Sequence, residues 1–183
     1  MSKIKRLITA YSSYIKLPWR SDSAAAQRVV FCIYDEGDEL RMRAKIDEFE
    51  IATKQADHGW FVFDLTDTFA LWLSANRYAK SYYQKPELIA TILNTYLAYI
   101  EKEYARFVEV NGVADQDVVA IEGVASLFGL LKVKEVVDRL APMTKGRLLV
   151  FFPGSFENNN YRLLDGYDGW NYLAVPITAE SQV

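Results

Sequence analysis

An α/β fold, with a mostly parallel central sheet of about four to six strands flanked by helices, is the class this sequence predicts. Three observations carry that expectation. Short apolar runs rich in β-formers recur at 29–34, 60–65, 118–121 and 147–152. These runs are largely continuous rather than alternating, which is how strands buried on both faces of a parallel sheet read. Segments with helical apolar spacing lie between them, and strands alternating with helices place helices on both faces of one sheet.

Residues 3–16 predict an amphipathic helix, because Ile4, Leu7, Ile8, Tyr11, Tyr14 and Ile15 follow the i, i+3, i+4, i+7 spacing with the bases largely off that stripe. Pro18 ends it, since the residue before proline disfavours helical backbone. A polar connector, 18–28, leads to the first strand at 29–34. Asp35-Glu36-Gly37-Asp38-Glu39 then opens a helix over about 38–56, with Met42, Ile46, Phe49 and Ala56 on its buried side. Acids in a first turn suit the helix dipole.

His58-Gly59 breaks that helix before the second strand at 60–65. Thr66 or Asp67 caps a helix carrying Phe69, Trp72, Leu73 and Ala75, and Pro86 starts a long helix through about Val110. The third strand, 118–121, ends at Glu122-Gly123, and short helices are expected at 126–131 and 133–140. Lys145-Gly146 leads into the fourth strand, 147–152, which Pro153-Gly154 is expected to end sharply. A polar loop (157–160), a strand at 161–164, a turn at 165–169 and a last strand at 170–177 form a C-terminal hairpin. The 183 residues are one domain's worth. The expected division is a single domain over 1–183, with an N-terminal helix at 1–17 and an α/β core at 29–177.

Composition narrows the chemistry. The chain holds 21 Lys and Arg, 24 Asp and Glu, one Cys and one His. One cysteine excludes an internal disulfide, and zinc sites built from several Cys and His side chains lack their ligands. Cys32 falls inside the first strand and reads as a small core residue. His58 reads as a helix-terminal surface residue at the start of the second strand. No G-x-x-x-x-G-K-[ST], G-x-G-x-x-G or G-x-S-x-G is present. The turn after the first strand is acidic and repels phosphate, so the expected core resembles a nucleotide hydrolase without its phosphate loop. No signal-peptide pattern and no apolar run near 18 residues appear, which predicts a cytoplasmic protein without membrane spans and without cofactors.

Three constellations remain. Asp35, Asp64 and Glu122 end the first three strands, and Asp38 and Glu39 follow Asp35 within a turn. Ligands gather at the carboxyl ends of strands in open parallel sheets. These acids either converge on Mg²⁺ or Mn²⁺ in a phosphohydrolase or nuclease, or cap the helices that follow. The basic N-terminal helix fits anionic lipid, nucleic acid or a protein partner, or else is an ordinary packed helix with a solvated basic face; a net charge of −3 and the lack of other basic clusters weigh against nucleic acid. Phe156, Asn158, Asn159, Asn160, Tyr161, Arg162, Tyr167 and Trp170 form an aromatic, polar-tipped stretch that suits a recognition surface or a hairpin closing the sheet edge.

The stretch from Leu149 to Ile177 contains Phe-Phe-Pro-Gly, Asn-Asn-Asn-Tyr-Arg-Leu-Leu-Asp and Asp-Gly-Trp-Asn-Tyr-Leu-Ala-Val-Pro-Ile. It resembles the BrxB family of the bacterial BREX (bacteriophage exclusion) defence systems. Ile33-Tyr34-Asp35 with Asp38-Glu39-Leu40-Arg41, and Gly123-Val124-Ala125-Ser126-Leu127-Phe128, resemble two further family segments in matching order. The resemblance implies a non-catalytic or uncharacterised subunit that binds PglZ, the BREX component with an alkaline-phosphatase-like domain. It carries no catalytic residues and no cofactor with it.

Overall fold

Alternate residues of the central strands divide the core into two layers. The computed structural model describes residues 1–166 and 169–181. Its helices are α1 (Lys3–Ile15), α2 (Glu39–Arg43), α3 (Ile46–Gln55), α4 (Thr68–Ser74), α5 (Ala79–Gln84), α6 (Leu93–Val110) and α7 (Val133–Leu140). Its strands are β1 (Val29–Tyr34), β2 (Gly59–Asp64), β3 (Asp117–Glu122), β4 (Arg147–Glu157), β5 (Asn160–Leu163), β6 (Trp170–Asn171) and β7 (Val175–Ile177). Five strands run parallel in the order β2-β3-β4-β1-β7, while β5 and β6 extend the outer half of β4 antiparallel.

Phe31, Ile33, Val119, Ile121, Val150 and Phe152 face α4, α6 and α7, where they meet Trp72, Tyr96, Ile100, Tyr104, Val136 and Leu140. Val30, Cys32, Val118, Ala120, Leu149 and Phe151 face α1, α2 and α3, against Leu7, Tyr11, Ile15, Met42 and Phe49. The period-two geometry of a strand makes both sets apolar at once. The expected α/β class holds: the parallel part of the central sheet has five strands, and β5 and β6 bring the described strands to seven. The N-terminal helix is packed: Leu7, Tyr11 and Ile15 are buried, and the Tyr11 hydroxyl lies 2.6 Å from Thr53 Oγ1 of α3.

Several boundaries differ from the sequence reading. The helix expected over 38–56 is α2 and α3, preceded by a 3₁₀ turn at Glu36–Asp38. Lys45, at φ −121°, leaves the helical ladder, and 3₁₀-type bonds from Lys45 N to Met42 O and from Glu48 N to Lys45 O bridge the break. Residues 86–110 begin as a 3₁₀ helix (Pro86–Ile92) before α6, and α5 precedes them. The helix expected at 126–131 stops at Leu127, and Gly129 turns the chain at φ +74°.

The largest correction concerns Pro153-Gly154, which does not end the fourth strand. Pro153 still pairs with Tyr34 in the parallel sheet, and its carbonyl accepts from Leu164 N at 2.8 Å. Gly154 then pairs with Leu163 at a closeness that leaves no room for a Cβ beside the Arg162 carbonyl. The hairpin is therefore β4–β5. Its two-residue turn is Asn158-Asn159, at φ +51° and +63°, the left-handed pair that matches strand twist in a tight turn. The last strand is also split. β6 closes on β5, while β7 pairs parallel with β1, Val30 opposite Val175 and Cys32 opposite Ile177.

Candidate functional site

The acids at the carboxyl edge separate into two groups because β4 lies between β1 and β3. Asp64 and Glu122 are direct register partners on β2 and β3. Asp35 stands two strands away from Glu122, with Asp38 in the turn that follows it. Asp35 Oδ1 accepts from Gly37 N at 3.0 Å, and Asp64 Oδ1 accepts from Thr66 N at 2.8 Å and Thr66 Oγ1 at 2.6 Å. These are turn-closing bonds of the kind short acidic side chains make to nearby backbone.

Arg43 is the cation that answers this edge. It bonds Glu39 at 2.8 Å and donates to Thr66 Oγ1 at 3.2 Å, tying α2 to the loop after β2. Tyr34 donates its hydroxyl to Glu39 at 2.5 Å, and Arg41 pairs with Asp38 at 3.0 Å. Among the described residues no group of three or more His, Cys, Asp or Glu side chains is placed to hold a metal ion. At this edge Asp38 and Glu39 are ion-paired with Arg41 and Arg43, and Asp35 and Asp64 accept from turn amides.

Glu122 is the electrostatically stressed member. Partial burial and then the neighbouring Asp64 raise its pKa above the ordinary carboxylate range, against the pull of Arg43. A carboxyl whose folded pKa is raised is harder to ionise folded than unfolded. Its contribution to stability is whole below the unfolded value and is lost as pH rises through the folded value. Glu122→Gln is therefore expected to be more stable than the parent at neutral pH and equal to it in acid. Urea unfolding at a series of pH values measures this, and parallel curves for the two proteins would contradict it.

A crevice of about 300 Å³ opens between the ends of β1 and β4. Here the chain leaves β1 towards α2 and α3 on one face, whereas β2 and β3 connect through helices on the other face. Its polar lining includes Asp35, Asp38, Glu157 and Glu180, with Lys3 the base among them. That lining disfavours phosphate.

The aromatic stretch of the C-terminal region is mostly interior. Tyr161 is fully buried, and its ring centroid lies 4.7 Å from Phe31, 4.6 Å from Phe156 and 5.0 Å from Trp170. Phe156 and Trp170 are half-buried against the same core. Asn158, Asn159, Asn160 and Arg162 are exposed, and Tyr167 lies outside the described residues. Tyr161 is thus corrected to an interior position, while Phe156 and Trp170 keep part of their surface exposed. Period-two alternation turns Tyr161 inward while Asn160 and Arg162 turn out.

His58 and Cys32 sit away from the acids. His58 stacks flat on Trp19 at 3.8 Å at the amino end of the sheet, and its Nδ1 lies 3.0 Å from the Gln116 carbonyl oxygen. The buried Arg147 guanidinium lies 4.5 Å from the centre of the Trp19 ring. Cys32 is fully buried in β1, and burial pushes its thiol pKa far up, which removes it as a nucleophile in the folded chain.

One feature escaped the sequence reading. Between β2 and α6 the chain makes an excursion in which neither α5 nor the 3₁₀ helix Pro86–Ile92 buries a single residue. Leu71, Tyr78 and Tyr83 are exposed by 60%, 57% and 58%. The signal available in the sequence was the basic, tyrosine-rich run Arg77-Tyr78-Ala79-Lys80-Ser81-Tyr82-Tyr83-Gln84-Lys85, which has no acid. No described helix is long and apolar enough to cross a membrane.

A protein-family model described as "BREX protein BrxB" matches residues 67–176, more than half of the chain. The matched span runs from the start of this excursion to β7. No curated protein and no solved structure matches the chain.

Proposed function

The chain belongs to the BrxB family and so to the components of BREX defence systems, and from that premise we propose that it is a non-catalytic interaction subunit. It binds PglZ, helps assemble the defence complex and works in the cytoplasm. The observation that carries this reading is the family match itself. Two features of the fold support it: a carboxyl edge at which Asp35 and Asp64 are engaged by turn amides and Glu39 by Arg43, and an apolar segment that the chain's own core uses only in part.

Specific interfaces concentrate their affinity in a few aromatic and arginine side chains set in a less important surround. A rigid α/β sheet holding such a segment is suited to that work without any chemistry of its own. Direct contact with nucleic acid has no part in this reading.

The separately purified proteins are expected to co-elute as one complex on size exclusion at micromolar concentrations. Independent elution at those concentrations overturns the proposal. The hydrolase alternative makes the opposite prediction about the carboxyl edge: it requires loss of phage defence in an Asp64→Asn, Glu122→Gln double variant. The interaction reading expects defence to be kept in that variant.

A further inference from the structure

Resting on the reading of this chain as an interaction subunit, we propose that the excursion around α5 is a docking face for an acidic protein segment that also presents apolar side chains. The segment is apolar enough to be core and is only partly used as core. Tyr82, Ile89 and Ile92 rest against the α6 side of the interior and tether it, whereas Leu71, Tyr78, Tyr83 and Leu88 point their surface to solvent. Exposed apolar patches rimmed by polar residues mark interaction sites.

Charge states the partner's chemistry. Residues 68–92 take three of the chain's 21 bases and one of its 24 acids, Glu87, leaving 18 bases against 23 acids elsewhere. Among the described residues Arg77, Lys80 and Lys85 form no ion pair, so their charge is open to a partner, whereas Arg43, Lys45, Lys54, Lys134 and Arg139 each meet a carboxylate of the chain itself. Arg77 lies 5.6 Å over the Tyr78 ring, which holds the guanidinium against the aromatic face. A positive, aromatic face on an otherwise negative body attracts an acidic surface and orients it as it approaches. Tyr and Arg are the residue types enriched at interface hot spots.

A nucleic acid fits this face less well. Leu71 and Leu88 offer nothing to a phosphate backbone, and the surplus of acids elsewhere repels it. A second copy of the chain brings a face of the same sign to this one.

The test uses the full-length protein with two variants, Tyr78→Ala/Tyr83→Ala and Arg77→Glu/Lys80→Glu/Lys85→Glu. Their melting temperatures are expected to stay near that of the parent, because all five side chains are exposed. Titration calorimetry against purified PglZ should show each variant binding about tenfold or more weakly, and the parent's affinity should fall as salt rises. Variants that bind within about twofold of the parent overturn the docking face while leaving the interaction reading intact.

If the parent fails to bind PglZ, the interaction reading falls, and an acidic leucine-containing peptide then decides the face. Binding of that peptide lost in both variants supports the face, and no binding overturns it. Duplex-DNA binding abolished by the charge reversal reassigns the face to nucleic acid. Dimerisation abolished by the tyrosine pair reassigns it to a second copy. Either result overturns the acidic-partner proposal.

Discussion

Truncating Tyr161 to alanine is expected to lower the unfolding free energy by about 3–5 kcal/mol, the range for removing a large buried aromatic. The side chain has no solvent exposure and stands among Phe31, Phe152, Phe156 and Trp170, with ring centroids 4.6 to 6.0 Å away. Those rings belong to β1, β4 and β6, so a cavity here loosens the antiparallel extension and the parallel sheet together. A single domain is stable by only about 5–15 kcal/mol in total, which makes this loss visible as a marked shift of the urea midpoint.

Tyr161→Phe separates packing from polarity. The hydroxyl reaches only the Ala174 carbonyl at 3.4 Å, a long bond, so the phenylalanine variant should stay close to the parent. Arg162→Ala, one residue along and exposed, should change stability by less than about 0.5 kcal/mol. An alanine variant at Tyr161 that unfolds like the parent would contradict the interior placement of this stretch. A loss of partner binding in Tyr161→Ala would then have to track its loss of fold.

Gly154→Val is expected to destabilise by about 3 kcal/mol, at the upper end for forcing extra atoms into packed structure. A Cβ there overlaps the Arg162 carbonyl oxygen and touches the Phe152 ring, and the overlap with backbone cannot be relieved by a rotamer change. Relief requires β5 to move off β4, which breaks the pairs Gly154–Leu163 and Ser155–Arg162. Thermal melting and amide exchange of 155–163 measure the two parts of this effect. A fully stable valine variant with β5 amides still protected would show that the close approach is not required.

Most of the central sheet was legible before any coordinates. The run at 29–34 is β1 residue for residue, because six successive residues buried on both faces must all be apolar. The third strand and α7 were equally readable, α7 because Val133, Val136, Val137 and Leu140 repeat at helical spacing. The second strand was placed within a residue. Its position at the sheet edge leaves it only partly buried, and that position is a property of strand order rather than of the run itself.

The candidate site was legible as residue types and not as an arrangement. Asp35, Asp64 and Glu122 do end consecutive strands, but insertion of β4 between β1 and β3 decides that only two of them are neighbours. Nothing in the local sequence marks Arg43, since its role depends on α2 crossing towards the loop after β2. Within the aromatic stretch, Tyr161 lies in the interior rather than at the surface: period-two alternation specifies opposite faces without saying which of them is covered.

Local spacing alone determined the α/β class, the main strands and helices, and the lack of a phosphate loop, a disulfide or a nucleophile elbow. Those properties follow from interactions between residues a few positions apart, or from residue counts. Tertiary structure alone decided the strand order, the passage of β4 through Pro153-Gly154, the burial of Tyr161 and the exposure of the α5 segment. Each of these depends on contacts between residues distant in sequence, and an apolar side chain is spelled the same way whether the fold covers it or leaves it for a partner.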